Sequence, residues 1–131
     1  MRNGGRWTEA KWRSFIVSLL RSGQRRWPPK QEAVKGAKVG KQINEATGRL
    51  ADHYRCAACG NVFPLKQVQA DHIEPVIDPA VGFVDWGTYI TRMFCEVDNY
   101  QILCKDCHKA KTAKERQTAK ERKANEGREN S

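Results

Sequence analysis

Two cysteine pairs, Cys56-x-x-Cys59 and Cys104-x-x-Cys107, stand 44 residues apart in the chain. They restrict the fold more than any other feature. Each short turn aims two sulfurs at one point, and a shared ion then folds the intervening segment back on itself. Disulfides are the rival use of such thiols. The count of five leaves Cys95 over, and the start "MRNGGRWTEAKW" lacks the apolar core of a secretory signal. A cytoplasmic address and zinc are therefore expected. Four thiolates close the shell of Zn2+, so such a site is structural and not catalytic. Structural zinc in small peptides supplies an apparent ~10–16 kcal/mol. That offsets the thin core of a 131-residue chain whose residues are 39% hydrophobic. Cys95 is expected to be a small buried hydrophobe.

Charge divides the chain into three. Residues 1–55 carry 13 Lys and Arg against 4 Asp and Glu, residues 56–104 carry 2 against 6, and residues 105–131 carry 9 against 5, for +9 overall. The cysteines thus lie in an acidic middle between basic flanks. Basic flanks favour a polyanion such as DNA, the bland alternative being solubility alone. An acidic middle repels that polyanion unless cations bind there. No run of 18 apolar residues exists, so no membrane helix is expected.

Residues 8–22, "TEAKWRSFIVSLLRS", have the spacing of a helix with Trp12, Phe15, Ile16, Leu19 and Leu20 on one core-facing stripe. Thr8 is its expected N-cap and Gly23 its stop. Pro29 suits the first turn of a second helix reaching about Lys38. Residues 39–52 read as loop, tightest at Thr47-Gly48. "KQVQADHI" alternates as a strand, 85–94 reads as a short helix, and "NYQILC" is an apolar run leading into another helix. From Ala113 onward the chain has helix formers without an apolar stripe, which predicts an exposed helix fraying into disorder.

Four polar residues occur in fixed order around the knuckles: Asp71-His72, Asn99 and His108, the last directly after Cys107. A clamp at the cysteines fixes His108, and the returning loop brings Asp71-His72 toward it. "ADHIEPV…DNYQILCKDCHKAKT", with the flanking Cys56 pair, resembles the HNH endonuclease family in its form with Asp for the first His. The likeness covers about residues 54–113. The run "WTEAKWRSFIVSLLRSGQRRWPP" resembles the N-terminal part of small phage-type HNH proteins.

The resemblance implies an α+β fold with a ββα-metal, treble-clef-like core at 53–113. A basic helical arm at 1–52 and a basic C-terminal helix or tail at 114–131 flank it. It implies Asp71 and His108 as ligands of a catalytic divalent ion, His72 as general base and Asn99 as the residue that orients the base. Pro75 suits a strand end just past the pair, and adjacency then lets one segment deliver ligand and base if the pair sits on a bend. The position one turn beyond His108 is Thr112, where many members carry another His. A sparse shell completed by water suits Mg2+ or Mn2+, with Ni2+ or Zn2+ also compatible with the imidazole.

The implied activity is hydrolysis of DNA to 5′-phosphate and 3′-hydroxyl ends, in the cytoplasm, or the host cytoplasm if phage-encoded. Lys109 and Lys111 suit phosphate contact or a solvated helix face equally. Arg25 and Arg26 add sequence-independent attraction. Two other readings share the cysteines and the charge: a zinc-stabilised nucleic-acid-binding module without activity, and a protein-interaction zinc domain with an unknown partner. The insertion at 73–98 reads either as a cover or as a DNA-contacting element.

Overall fold

The computed structural model describes residues 2–129. Helix and sheet are mixed, as expected for an α+β chain, and no helix among the described residues is long and apolar enough to cross a membrane.

Helix α1 spans Glu9–Gln24. Thr8 caps it, its hydroxyl accepting from Lys11 N at 3.1 Å. The helix runs one residue past Gly23, and its apolar stripe is only partly used. Trp12, Ile16 and Leu20 are half-buried, while Phe15 and Leu19 face solvent at 47% and 54% exposure. The expected core face is therefore narrower than the stripe. Its partner surface is small: Trp12 meets Trp86 edge-on at 5.9 Å between centroids. Helix α2 spans Pro28–Gly36, opened by prolines whose missing N–H costs nothing at a helix start. Trp27 ties this junction down, donating from Nε1 to the Cys95 carbonyl at 2.6 Å and packing on Phe94. Cys95 is half-buried there, not fully enclosed.

Residues 39–52 are not loop. Strands β1, Lys38–Asn44, and β2, Arg49–Arg55, form an antiparallel hairpin. The turn does sit at Thr47-Gly48, where Gly48 has φ +72° and donates to Asn44 O at 2.7 Å. "KVGKQIN" hides its strand because both faces of β1 are largely exposed, so no apolar alternation is needed. Pairing to β2, whose His53 and Tyr54 are buried, imposes the conformation. β2 also pairs with β3, Val62–Pro64, so the first cysteine knuckle is the connection between these two strands.

Strand β4, Val68–His72, pairs antiparallel with β5, Tyr100–Cys104. β5 is the most buried strand, covered on both faces, which accounts for its continuous apolar run. It passes directly into α4, Lys105–Glu129, a single 25-residue helix. The expected fraying from Ala113 is therefore corrected through Glu129, and residues 130–131 lie outside the described residues. Part of the reason is Arg122. It is largely enclosed, donates to Pro79 O at 3.2 Å and lies over Gly82.

The insertion 73–98 carries α3, Trp86–Met93, capped by Asp85, which accepts from Thr88 N at 2.6 Å. Tyr89 and Met93 are buried, and Phe83 and Trp86 pack on one another and on Tyr89. With Trp12 joining from α1, the insertion forms a cover that connects the N-terminal helix to the end of β4.

Candidate metal centres

The apolar core is small, and its centre is the cysteines themselves. Cys56, Leu103 and Cys104 are buried together, with Phe63 and Cys107 against them. Cys56 ends the β2 side of the knuckle, where its N–H donates to Asn61 O at 2.9 Å and its carbonyl accepts from Gly60 N at 3.0 Å. Gly60, at φ +75°, permits the reversal. Cys104 ends β5 and Cys107 lies in the first turn of α4, so two rigid elements supply the second pair. All four sulfurs lie within 4.8 Å of one another, with Cys59 and Cys104 at 4.0 Å. Zinc–sulfur bonds of about 2.3 Å in a tetrahedron separate sulfurs by about 3.8 Å. The four thiols are thus positioned to hold a metal ion such as zinc after a small contraction.

Their electrostatics fit a cation as well. Burial pushes the Cys56 thiol up. The N–H groups of Cys59, Cys104 and Ala58, together with the Cys59 thiol, outweigh it and bring it down to about 6. The Cys107 thiol is pushed up to about 12, chiefly by the neighbouring sulfurs of Cys104 and Cys56 and then by burial. One thiolate forms readily, and further negative charge beside it is resisted. A divalent cation removes that resistance.

The second cluster lies at the far end of the β4–β5 pair. Regular register continues to the last residue of β4, with Asp71 opposite Gln101 and His72 opposite Tyr100. The expected bend at Asp-His is therefore absent, and the two side chains leave opposite faces of the strand. Asp71 turns toward α4. Its Oδ1 stands 3.7 Å from His108 Nε2, while Oδ2 accepts from Gln101 Nε2 at 3.2 Å and pairs with Lys111. His72 turns toward α1 and α3. Its Nε2 lies 2.9 Å from the Met93 carbonyl, and its ring lies 4.9 Å from that of Tyr100. Nε2 thus stands between a carbonyl that only accepts and the Gln24 amide, 3.1 Å away, that only donates, so either tautomer is held by one of the two.

Ligands about 2.1 Å from a common ion stand ~3.0–3.4 Å apart at right-angled to tetrahedral geometry. The 3.7 Å between Asp71 and His108 is within a small side-chain movement of that, and the donors are one hard oxygen and one imidazole nitrogen. The pair therefore fits a divalent ion that keeps several waters.

Asn99 does not touch the His72 ring. Its Oδ1 accepts from Glu74 N at 3.0 Å and its backbone carbonyl accepts from Ile73 N at 2.8 Å. It pins the chain just beyond the Asp-His pair. Lys111 is no solvated face, since it contacts Asp71 and Glu115, whereas Lys109 is exposed. Arg25 and Arg26 are exposed immediately after α1. The nearby Lys30 ammonium is pushed down by burial and by the Arg25 charge, which puts both in one basic patch.

Gln24 is a site residue that the sequence did not single out. Its amide nitrogen lies 3.1 Å from His72 Nε2, 3.1 Å from Met93 O and 3.3 Å from the Tyr100 hydroxyl. That hydroxyl also donates to Met93 O at 3.2 Å, and burial, opposed by the Gln24 bond, pushes the phenol up to about 12, so it stays a donor. Gln24 lies inside "RSGQRRWPP", between an apolar stripe and a pair of prolines, and nothing local marks it. An open cleft of about 430 Å3 collects Arg21, Gln24, Asp71, His72 and Lys111 on its walls. His53, outside the motif, is buried in β2 with Nδ1 2.9 Å from Ala51 O. Comparison with family models, with curated proteins and with solved structures found no match to the chain.

Proposed function

We propose that the chain is a metal-dependent DNA endonuclease of the HNH type, with β4, β5 and α4 as its ββα-metal unit. One observation carries the reading: Asp71 and His108 approach to 3.7 Å across two elements, and Asp71 lines a cleft whose wall also holds His72. A divalent ion held by Asp71 and His108 would neutralise a phosphate oxygen and the charge growing on the departing 3′ oxygen.

The chain's own residues supply the rest. The unprotonated ring nitrogen of His72 takes a proton from water as the water oxygen attacks phosphorus. The phosphorus–O3′ bond breaks in line, leaving a 5′-phosphate and a 3′-hydroxyl once the leaving oxygen is protonated by solvent. The Met93 carbonyl, 2.9 Å from Nε2, helps to fix the ring and stabilises the imidazolium that forms, which carries a proton on both nitrogens. Asn99 fixes the turn at Ile73 and Glu74 from which the His72 ring is presented. Because Asp71 and His72 leave opposite faces of β4, the phosphate has to span the strand end, and the open cleft leaves room for that. Arg25, Arg26 and Lys109 suit sequence-independent attraction to flanking phosphates.

The second reading, a nucleic-acid-binding module without activity, is favoured by one contact. The Lys111 ammonium already satisfies Asp71. Incubating plasmid with the zinc-loaded protein and Mg2+ or Mn2+ separates the two. Cleavage is expected, and His72→Ala is expected to lower it by about 10²–10⁴-fold without loss of zinc or DNA binding. Cleavage that persists undiminished in His72→Ala removes His72 as the base, and no cleavage with any metal leaves the binding module.

A further inference from the structure

Lys111 is held as few surface lysines are. An ammonium has three protons to donate, and this one has three oxygen partners: Asp71 Oδ2, the His72 backbone carbonyl and Glu115 Oε1 at 3.2 Å. Its side chain is 25% exposed. All four residues line the same cleft. A fixed positive charge therefore rests on the one carboxylate that, in the reading above, must also serve a divalent cation. Gln101 keeps that carboxylate oriented from the opposite strand, with Oδ1 toward His108 and Oδ2 toward the ammonium.

Two cations on one carboxylate repel strongly in a partly enclosed site. The ammonium, shared by Asp71 and Glu115, offsets part of their charge, so the pull of Asp71 on a free divalent ion is weakened. A phosphate diester entering the cleft changes the balance. It offers the ammonium another anion, and the four-carbon lysine stem reaches it by rotation while Glu115, one turn further along α4, keeps the charge at the cleft wall. Asp71 is then released to the divalent ion.

We propose that Lys111 is the resident counter-ion of Asp71 and makes loading of the divalent cation conditional on bound DNA. The proposal rests on the reading that Asp71 and His108 hold that cation. Linkage makes the effect reciprocal, so the cation tightens DNA by the factor by which DNA tightens the cation.

The test uses the full chain, zinc-loaded, in the His72→Ala background so that DNA stays intact. Mn2+ affinity is read from the electron paramagnetic resonance of free Mn2+, with and without a short duplex, corrected for Mn2+ bound by duplex alone. With Lys111 present, the duplex is expected to tighten Mn2+ by about tenfold or more. Lys111→Met is expected to bind Mn2+ about tenfold tighter without DNA, with the duplex effect correspondingly reduced. Lys111→Arg, which keeps the charge, is expected to retain weak binding without DNA. An unchanged Mn2+ affinity in Lys111→Met, or an equal duplex effect in both proteins, overturns the proposal. Asp71→Asn separates the two levels. If it abolishes Mn2+ binding while Lys111→Met changes nothing, only the counter-ion role falls. If it changes nothing, no cation sits at Asp71, and the underlying reading falls as well.

Discussion

At the thiol cluster, four side chains from two knuckles face one point, and two of them are buried in the centre of the core. At the other end of the same β4–β5 pair, a carboxylate and an ammonium share the wall of a cleft open to water, with the His108 imidazole 3.7 Å from the carboxylate. Both groups suit a divalent ion, but their donors are organised oppositely. The cysteine sulfurs have one another and a few backbone N–H groups but no counter-charge, so their full ionisation depends on a cation. Asp71 is already held by Gln101 and Lys111 and keeps its place without one. A closed soft shell suits an ion that never leaves. An open hard shell suits one that exchanges with water and substrate. Three residues of β5 and one turn of α4 separate the two kinds of site.

The sharpest way to break this contrast is to remove the closed ion. Chelation of zinc, or Cys104→Ser, is expected to unfold most of the 53–113 region, because the lost binding energy is on the scale of a small domain's entire stability. Circular dichroism and zinc stoichiometry report it. Zinc retained at one per chain in both Cys104→Ser and Cys56→Ser contradicts the clamp. His108→Ala tests the open site by the opposite criterion. Cleavage is expected to fall by at least about 100-fold, with the melting temperature little changed. A large drop in melting temperature instead means that His108 supports the fold, and the contrast between the sites collapses.

Two smaller changes ask how far the open site depends on its surroundings. Gln24→Leu removes the amide that gathers His72, Met93 and Tyr100 while keeping similar bulk. We expect turnover to fall by roughly tenfold at unchanged zinc content, with the pH profile of cleavage altered because the base is less well oriented. A loss confined to KM, with kcat and pH profile intact, assigns Gln24 to substrate contact instead. Gly82→Ala puts a Cβ within 2.6 Å of Arg122 Nη1, at φ +89°. It is expected to cost about 1–2 kcal/mol and to loosen the second half of α4, read as faster amide exchange beyond about residue 116. Protection unchanged there shows that Arg122 is not what holds the helix.

Several elements were plain before the structure. α1 with its Thr8 cap, α3 at 85–94 and the β4 strand follow from spacing and cap chemistry, which act within a turn or two of chain. The β1 strand was hidden because its pairing partner supplies its order. The length of α4 was hidden because part of what anchors it, Arg122 on Pro79 and Gly82, reaches across 43 residues. The exposed half of the α1 stripe misled for a related reason: apolar periodicity states what a helix offers for burial, not how much surface waits to receive it.

By itself, the sequence determined that four thiols would serve one centre, because the knuckle spacing leaves their sulfurs little freedom. It also set Asp71, His72 and His108 on either side of that centre. Only the tertiary structure decided which way those side chains face, that a backbone carbonyl of α3 lies against the His72 ring, and that Lys111 and Gln24 join from distant turns. Ligand convergence within a knuckle is local and is written in residue spacing. Orientation at a strand end depends on which remote groups pack there, and those contacts form only when the whole chain closes around them.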